Sequence, residues 1–227
     1  MIKVCHISTA HRTTDNRIFH KECVTLASVG YDVILIARGE SGIKSGVRII
    51  SFPNLSRTKR LLYGRYIALK LALEIDADIY HLHDPDLLLI ARKLKQKGKK
   101  VIFDSHENVA AQILCKSYIP KIIRHLISKG YGVYEKHIIS LIDGAIVVTP
   151  SQLPMFEKYQ NNIQLVTNYP LVDDVFVQNV GKKTQQTSFQ ICFAGGISPQ
   201  WSQEIILEAI CGLNDVHYTI AGLVDQG

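Results

Sequence analysis

The stretch DIYHLHDPDLL, Asp78 to Leu88, begins as a strand and ends in a crowd of polar groups. Ile79, Tyr80 and Leu82 suit a buried strand, and His81, His83 and Asp84 appear just where that strand should stop. Pro85 and Asp86 then suit the first turn of a helix, where proline is tolerated and a carboxylate meets the positive end of the helix dipole. A strand that leads directly into a helix, with polar chemistry at the junction, is the repeating unit of a parallel α/β sheet.

The unit recurs on both sides. Apolar runs rich in Val and Ile stand at KVCHIS, DVILIA, VRIISF, KVIFDS, GAIVVT, IQLVTN, QICFAG and HYTIAG, most of them separated by segments with helical period. In the first such segment Ile18, Phe19, Cys23, Leu26 and Ala27 recur at three- and four-residue steps, and Gly30 marks its end. Further helices are expected over Thr58–Glu74, Asp86–Gly98, Pro120–Ile142 and Gln152–Tyr159. The fold class is therefore α/β, a doubly wound, Rossmann-like, mostly parallel sheet with helices on both faces. Polar and small residues break the alternation at VQNVGKKTQQTS, Val177 to Ser188, and a new strand-helix-strand follows. This places a first domain at residues 1–180 and, at 181–227, a linker with the opening of an incomplete second α/β domain.

Charge divides in the same place. The 26 Lys and Arg all lie at or before Lys183, with 16 of the 20 acidic residues, whereas the remainder carries four acidic residues and no basic one. Basic clusters at Arg57, Lys59, Arg60, Arg65 and Lys70, and at Lys116, Lys121, Arg124, Lys129 and Lys136, suit phosphates or an anionic lipid surface as well as a simple solvated helix face. No aromatic-basic interleaving or reader motif supports nucleic acid as a partner. The longest apolar runs are far shorter than the ~20 residues of a membrane span. MIKVCHIS enters a strand without a secretory h-region, so the expected compartment is the cytoplasm. Cys5, Cys23, Cys115, Cys192 and Cys211 are scattered singly and are expected as free thiols, mostly in the core.

Ligands of open parallel sheets bind outside the carboxyl ends of the strands. Three such ends carry a histidine beside charged residues: STAHRTTDNR (Ser8–Arg17), HLHDPD and FDSHEN (Phe103–Asn108). Each histidine taken singly also fits a hydrogen-bonded structural role, and Asp84 or Asp86 also fits a helix cap. His81 and His83 point to one face of their strand and Asp84 to the other, so a metal there needs a ligand from elsewhere. Neither Gly-x-Gly-x-x-Gly nor a P-loop follows the first strand, and no Gly-x-Ser-x-Gly elbow is present, which argues against NAD enzymes, P-loop NTPases and α/β hydrolases.

The order of HRTTDNRIFHKECVTLASVGYDV, DADIYHLHDPDLL, VIFDSHE, YEKHIISLIDGAIVVTPS and CFAGGISPQWSQEIILEAI resembles the N-terminal domain of family 4 glycosyltransferases of the GT-B fold, and the opening of their C-terminal domain. That resemblance implies retaining transfer of a sugar from a nucleotide-sugar donor to a glycan or lipid-linked acceptor of surface polysaccharide, without a metal or other cofactor. The acceptor side would be shaped by the N-terminal domain, and the nucleotide held by the C-terminal one. His106 matches the histidine that faces the reacting sugar. His83 and Asp84 match a neighbouring acceptor-side motif, with Glu107 beside it. His11, Arg12 and Arg17 stand where the family approaches phosphates with small residues, and are candidate phosphate or acceptor contacts. Arg17 pairing structurally with Asp15 is the alternative reading.

Gly195 and Gly196 match a donor-side loop, but AGGISPQWSQE lacks the expected cation there, and the acidic pair that grips the donor would lie past Gly227. The expectation is that this chain alone transfers nothing. A donor-less glycan-binding or partner-dependent module, and a GT-B-like nucleotide-sugar epimerase, are the competing readings. IPKIIRHLISKGYGVYEKHIISLI alternates apolar and basic residues at helical spacing, which suits docking on the inner face of an anionic membrane, with core packing of its Ile and Leu stripe as the plainer account. An unpaired final strand also suits a homodimer.

Overall fold

The computed structural model describes residues 1–116, 118–169, 188–197 and 202–222. The chain divides into two compact units, Met1–Tyr169 and Pro170–Gly227. The sequence-expected boundary between residues 180 and 181 lies outside the described residues.

The first unit is built on an eight-stranded sheet. Its strands are β1 (Lys3–Arg12), β2 (Asp32–Arg38), β3 (Gly42–Lys44), β4 (Val47–Phe52), β5 (Ile79–Leu82), β6 (Lys100–Ser105), β7 (Gly144–Val147) and β8 (Ile163–Leu165). The order is β3-β4-β2-β1-β5-β6-β7-β8, and every pairing is parallel except β3 with β4. The order runs outward in one direction from β2 and in the other from β5, so the crevice of this sheet opens at the carboxyl ends of β1 and β5. The doubly wound parallel sheet read from the sequence is the fold. The small hairpin strand β3 and the seven-residue helix α4 (Val109–Cys115) have no counterpart in that reading.

Helices cover both faces. Helix α1 starts as a wide π-type turn, Asn16–Cys23, and continues regularly over Val24–Ser28. Gly30, at φ +95°, ends it. Helix α2 spans 57–75, α3 Leu88–Gln96, α5 Lys121–Ile139 and α6 Leu153–Phe156. On one face Cys5, Ile7, Ile34, Ile36, Tyr80, Leu82, Val101 and Phe103 pack with Ala68 and Ala72 of α2, Leu88, Ala91 and Leu94 of α3, and Ile138 and Ile139 of α5. On the other, Val33, Leu35, Val47 and Ile49 pack against Ile18, Phe19 and Cys23 of α1. That second apolar cluster stops at β2. That face continues across β1, β5 and β6 with Val4, Ile79 and Ile102 and, toward the carboxyl ends, with His6, His81 (paired in register with His6), His83 and Asp104.

Two expectations are corrected. Among the cysteines only Cys5 and Cys23 are buried, and Cys115, Cys192 and Cys211 are exposed. The apolar stripe of α5 does not fill a core: the buried residues of that helix are Glu135, Ile138 and Ile139, and Ile122 (78 %) and Leu126 (67 %) face solvent. Only the last turns of α5 reach the sheet.

Gly39 follows β2 at φ +145°, and a Cβ there would collide with the Thr13 side chain. Together with the bond from Thr13 N–H to the Arg38 carbonyl (2.9 Å), this close approach fixes the loop that leaves β1.

In the second unit β9 (Phe189–Ala194), α7 (Gln203–Ile210) and β10 (Val216–Ala221) form a parallel strand-helix-strand. Their side chains are mostly exposed among the described residues. No helix among the described residues is long and apolar enough to cross a membrane.

Asp143 ties α3 to the sheet, accepting from Lys95 Nζ (2.8 and 2.9 Å), Lys100 Nζ (3.1 Å) and Val101 N–H (2.8 Å). Burial opposes its charge, but these bonds, led by Lys95, hold its carboxyl below the usual 3.8. A depressed folded pKa adds stability above the unfolded value that is lost as pH falls through the folded one. Asp143→Asn should therefore lower unfolding free energy at pH 7 by about 1–2 kcal/mol, with the deficit shrinking below pH 3.8. Urea titrations at both pH values measure this; an unaltered midpoint at pH 7 would refute the role.

Candidate functional site

The carboxyl ends of β1, β5 and β6 form a cleft of about 370 Å³, lined by His11, His83, Asp84, Asp86, Asp104, His106 and Glu107 and by the cations Arg57, Arg60 and Lys116. All three polar strand ends singled out in the sequence meet there.

Asp104 organises its floor. Its side chain is fully buried, and it accepts from Arg17 Nε (2.9 Å) and Nη2 (3.0 Å) in a bidentate pair. It also lies 3.1 Å from His106 Nε2 and 3.5 Å from His83 Nδ1. Burial would raise its pKa, but hydrogen bonds from His106, His83 and Arg17 hold the carboxyl well below the ordinary range. An ionised carboxylate only accepts, so the His106 Nε2 is the donor and Nδ1 is left for a ligand.

Arg17 reaches this place because α1 is wound wide. Its five-residue spacing aligns Arg17 with Glu22, and Arg17 Nε lies 3.0 Å from Glu22 Oε1. Arg17 Nη1 also donates to the Val166 carbonyl (3.0 Å). The guanidinium is thus committed to protein groups and is 5 % exposed. Of the pairing with Asp15, only a backbone bond forms: Arg17 N–H and Ile18 N–H both donate to Asp15 Oδ1, capping α1.

Asp84 is buried and caps no helix through its side chain. Its Oδ2 instead accepts from Ser8 Oγ (2.9 Å), Thr9 N–H (2.6 Å) and Ala10 N–H (3.1 Å), clamping the end of β1. Its Oδ1 lies 3.8 Å from His11 Nε2. His11, half-exposed, is 2.9 Å from Asp15 Oδ2, and that hydrogen bond raises the imidazole pKa. The rings of His11 and His83 stand 5.4 and 5.7 Å from that of His106. Glu107 lies at the rim, held by Gln112 Nε2. Arg12 is exposed and turns away, beside Arg38 and Phe52 at the neighbouring strand ends. Gly195 and Gly196 belong to the second unit, where Gly195 N–H donates to the Ala221 carbonyl (2.9 Å).

Behind His83 lies a second group that the sequence reading missed. His6, His81, His83 and Glu22 present ring nitrogens and a carboxylate oxygen within 4.8 Å of one another, while His83, Asp104 and His106 form a similar trio. Burial, then the neighbouring imidazoles, hold His6 neutral well below 6.5 and His81 at about 3. Burial and the Asp104 charge push Glu22 up to about 9. Asp84 stays out of this group, engaged with Ser8 and Thr9 of β1, and the further groups beside His81 and His83 come from elsewhere, as their one-faced placement on the strand requires. Register could have found His6, since it pairs with His81, but no local signal marks Glu22.

The sequence profile of glycosyltransferase family 4 matches residues 16–173, which include the cleft residues from Arg57 to Lys116 but not His11. The chain belongs to glycosyltransferase family 4. The fold agrees: sucrose-phosphate synthase from Thermosynechococcus elongatus superposes with a TM-score of 0.70 at 15 % identity, over 100 % of this chain and 63 % of that one. Glycyrrhiza uralensis UGT73P12, complexed with glycyrrhetinic acid 3-O-monoglucuronide, gives 0.55 at 11 %, over 100 % and 64 %. Arabidopsis thaliana UGT89C1, complexed with UDP-L-rhamnose, gives 0.55 at 12 %, over 100 % and 69 %. This chain thus spans 63 % and 64 % of the length of the first two. No curated protein sequence matches it.

The family member's cleft depends on a buried ion pair, which gives a test. Removing one partner of such a pair costs about 3–5 kcal/mol because the other charge is left unpaired. Arg17→Met should destabilise the first unit by that amount, and Arg17→Lys by clearly less, as read from denaturant unfolding. Equal stability of Arg17→Met and the parent would contradict the assignment.

Proposed function

We propose that residues 1–169 form the acceptor side of a retaining glycosyltransferase that moves a sugar from a nucleotide-sugar donor to a glycan or lipid-linked acceptor of a surface polysaccharide. The observation that carries this reading is the convergence of His11, Asp84, His106 and Glu107 in one cleft at the sheet's switch point, in a chain of family 4. In the reaction the acceptor hydroxyl oxygen bonds to the anomeric carbon, the bond from that carbon to the nucleoside diphosphate breaks, and the hydroxyl proton leaves with the diphosphate. His106, anchored through Nε2 to Asp104, positions the sugar through its remaining nitrogen. Arg57, Arg60 and Lys116 supply charge for an acceptor phosphate. Asp84 and Arg17 act by holding the loop and the floor in place. Complexes such as UGT89C1 with UDP-L-rhamnose support a nucleotide-sugar as donor. No metal takes part at the reacting carbon in this reading.

In a preparation that transfers sugar, His106→Ala should lower kcat about 10²–10³-fold, as loss of a positioned transition-state contact does, with little change in KM. His125→Ala, on exposed α5, should not. Unaltered kcat in His106→Ala would exclude the role. The second unit contributes only two strands and a helix among the described residues, so the purified 227-residue chain should transfer nothing by itself.

The exposed face of α5 supports docking at the inner surface of an anionic membrane. Ile122 and Leu126 project beside Lys121, His125 and Lys129. Such a face binds by apolar insertion plus attraction worth about 1 kcal/mol per basic residue. Cosedimentation with phosphatidylserine vesicles should weaken with salt and with Lys121→Gln/Lys129→Gln, and binding indifferent to both would refute the electrostatic part.

A further inference from the structure

His6 and His81 lie behind the cleft and, with Glu22 and the cleft-lining His83, form a group that the reading of sugar transfer leaves without a role. It sits on the covered face of the sheet under α1, with the three imidazoles from β1 and from the end of β5 and the carboxylate from the helix. His6 Nδ1 and His83 Nε2 are 2.9 Å apart. Glu22 Oε2 lies 3.7 Å from His6 Nδ1, 3.8 Å from His83 Nε2 and 3.9 Å from His81 Nδ1. Ligands held about 2.1 Å from a tetrahedral zinc stand about 3.4 Å from one another, close to these separations. The rings pack at 4.5–5.2 Å between centroids, and neither His6 nor His83 has any exposed side-chain surface. Of the atoms that face one another here, Glu22 Oε2 is buried without a hydrogen-bond partner, while His6 Nδ1 and His83 Nε2 hydrogen-bond each other. A buried carboxylate oxygen that faces three ring nitrogens without a hydrogen bond calls for a partner.

We propose that these four side chains form a structural site for a divalent first-row transition metal, of which zinc suits three imidazoles and one carboxylate best. The geometry includes an outer shell: His83 Nδ1 faces Asp104 at 3.5 Å, and Asp104 is held by Arg17. Four protein ligands close the coordination sphere, so the cation binds no substrate and forms no bond in the reaction. It joins α1 to β1 and β5 directly beneath the cleft. The proposal is independent of sugar transfer, and it gives the His81 and His83 pair the ligands from elsewhere that its place on the strand requires.

The test uses the untagged 227-residue chain, freed of metal and then given Zn2+ or Co2+. Expected are one zinc per chain by elemental analysis after gel filtration, the visible absorption of tetrahedral Co2+, and a raised Tm on zinc addition. Glu22→Gln and His81→Asn should each lose the retained metal, while His125→Ala keeps it. An X-ray absorption spectrum of the zinc-loaded parent, expected to show nitrogen and oxygen ligands only in fourfold coordination, does not depend on how the variants fold. A folded parent that retains no zinc and gives no Co2+ band overturns the site. So does metal that survives Glu22→Gln but is lost in His106→Ala, which would place it at the other trio.

Discussion

A carboxylate with no exposed surface and a full charge is the constraint on which this structure turns. Burying Asp104 is tolerable only because Arg17 meets it with two aligned hydrogen bonds and histidines take up its remaining capacity. That pairing dictates the rest in sequence. Arg17 must descend onto the sheet, reaching from α1, which packs on β2 and β4, to Asp104 of β6. The helix winds wide to bring Glu22 onto the same side as Arg17. The face of β1, β5 and β6 is polar toward its carboxyl ends, at His6, His81, His83 and Asp104. The result is a floor of ionised and neutral groups in fixed orientation below the one place where a switch-point sheet opens to ligands.

Much of this was legible in the sequence, and the parts that were not share a cause. Val- and Ile-rich runs spaced by helical segments announce parallel strands, because such strands are buried on both faces. The three histidine-bearing strand ends announced the cleft, because polar groups have no business at a buried strand end unless something uses them. Harder to see were groups whose neighbours are set by register and helix placement. His6 stands within KVCHIS as if it were one more core residue, and Glu22 within HKEC as if it faced solvent. Arg17 looked like a free cation near a phosphate loop; only the position of α1 turns it inward. Arg12, four residues past Ser8, leaves the cleft because the Thr13 and Gly39 contact carries the loop toward β2. In α5 the hydrophobic stripe is real, but the helix extends beyond the sheet, so periodicity alone could not tell a core from a surface.

The polar layer also bears on how such a protein divides its work. An apolar floor of the same volume would be as stable or more so, yet it would leave His106 and His11 without partners to orient them. Asp84 illustrates the trade: three of its bonds serve only to hold the end of β1, and in doing so they set His11 over His106. Stability is given up for geometry on one face of the sheet and recovered on the other, where Tyr80, Phe103 and the helices α2 and α3 pack without interruption.

The central claim, that the cleft over Asp104 receives the acceptor, is tested most directly by NMR of the histidine rings. In a sample labelled at histidine Cε1, titration with a lipid-linked sugar diphosphate should shift His11 and His106 and leave the exposed His137 in place. Saturable binding that leaves both cleft histidines unmoved would contradict the account.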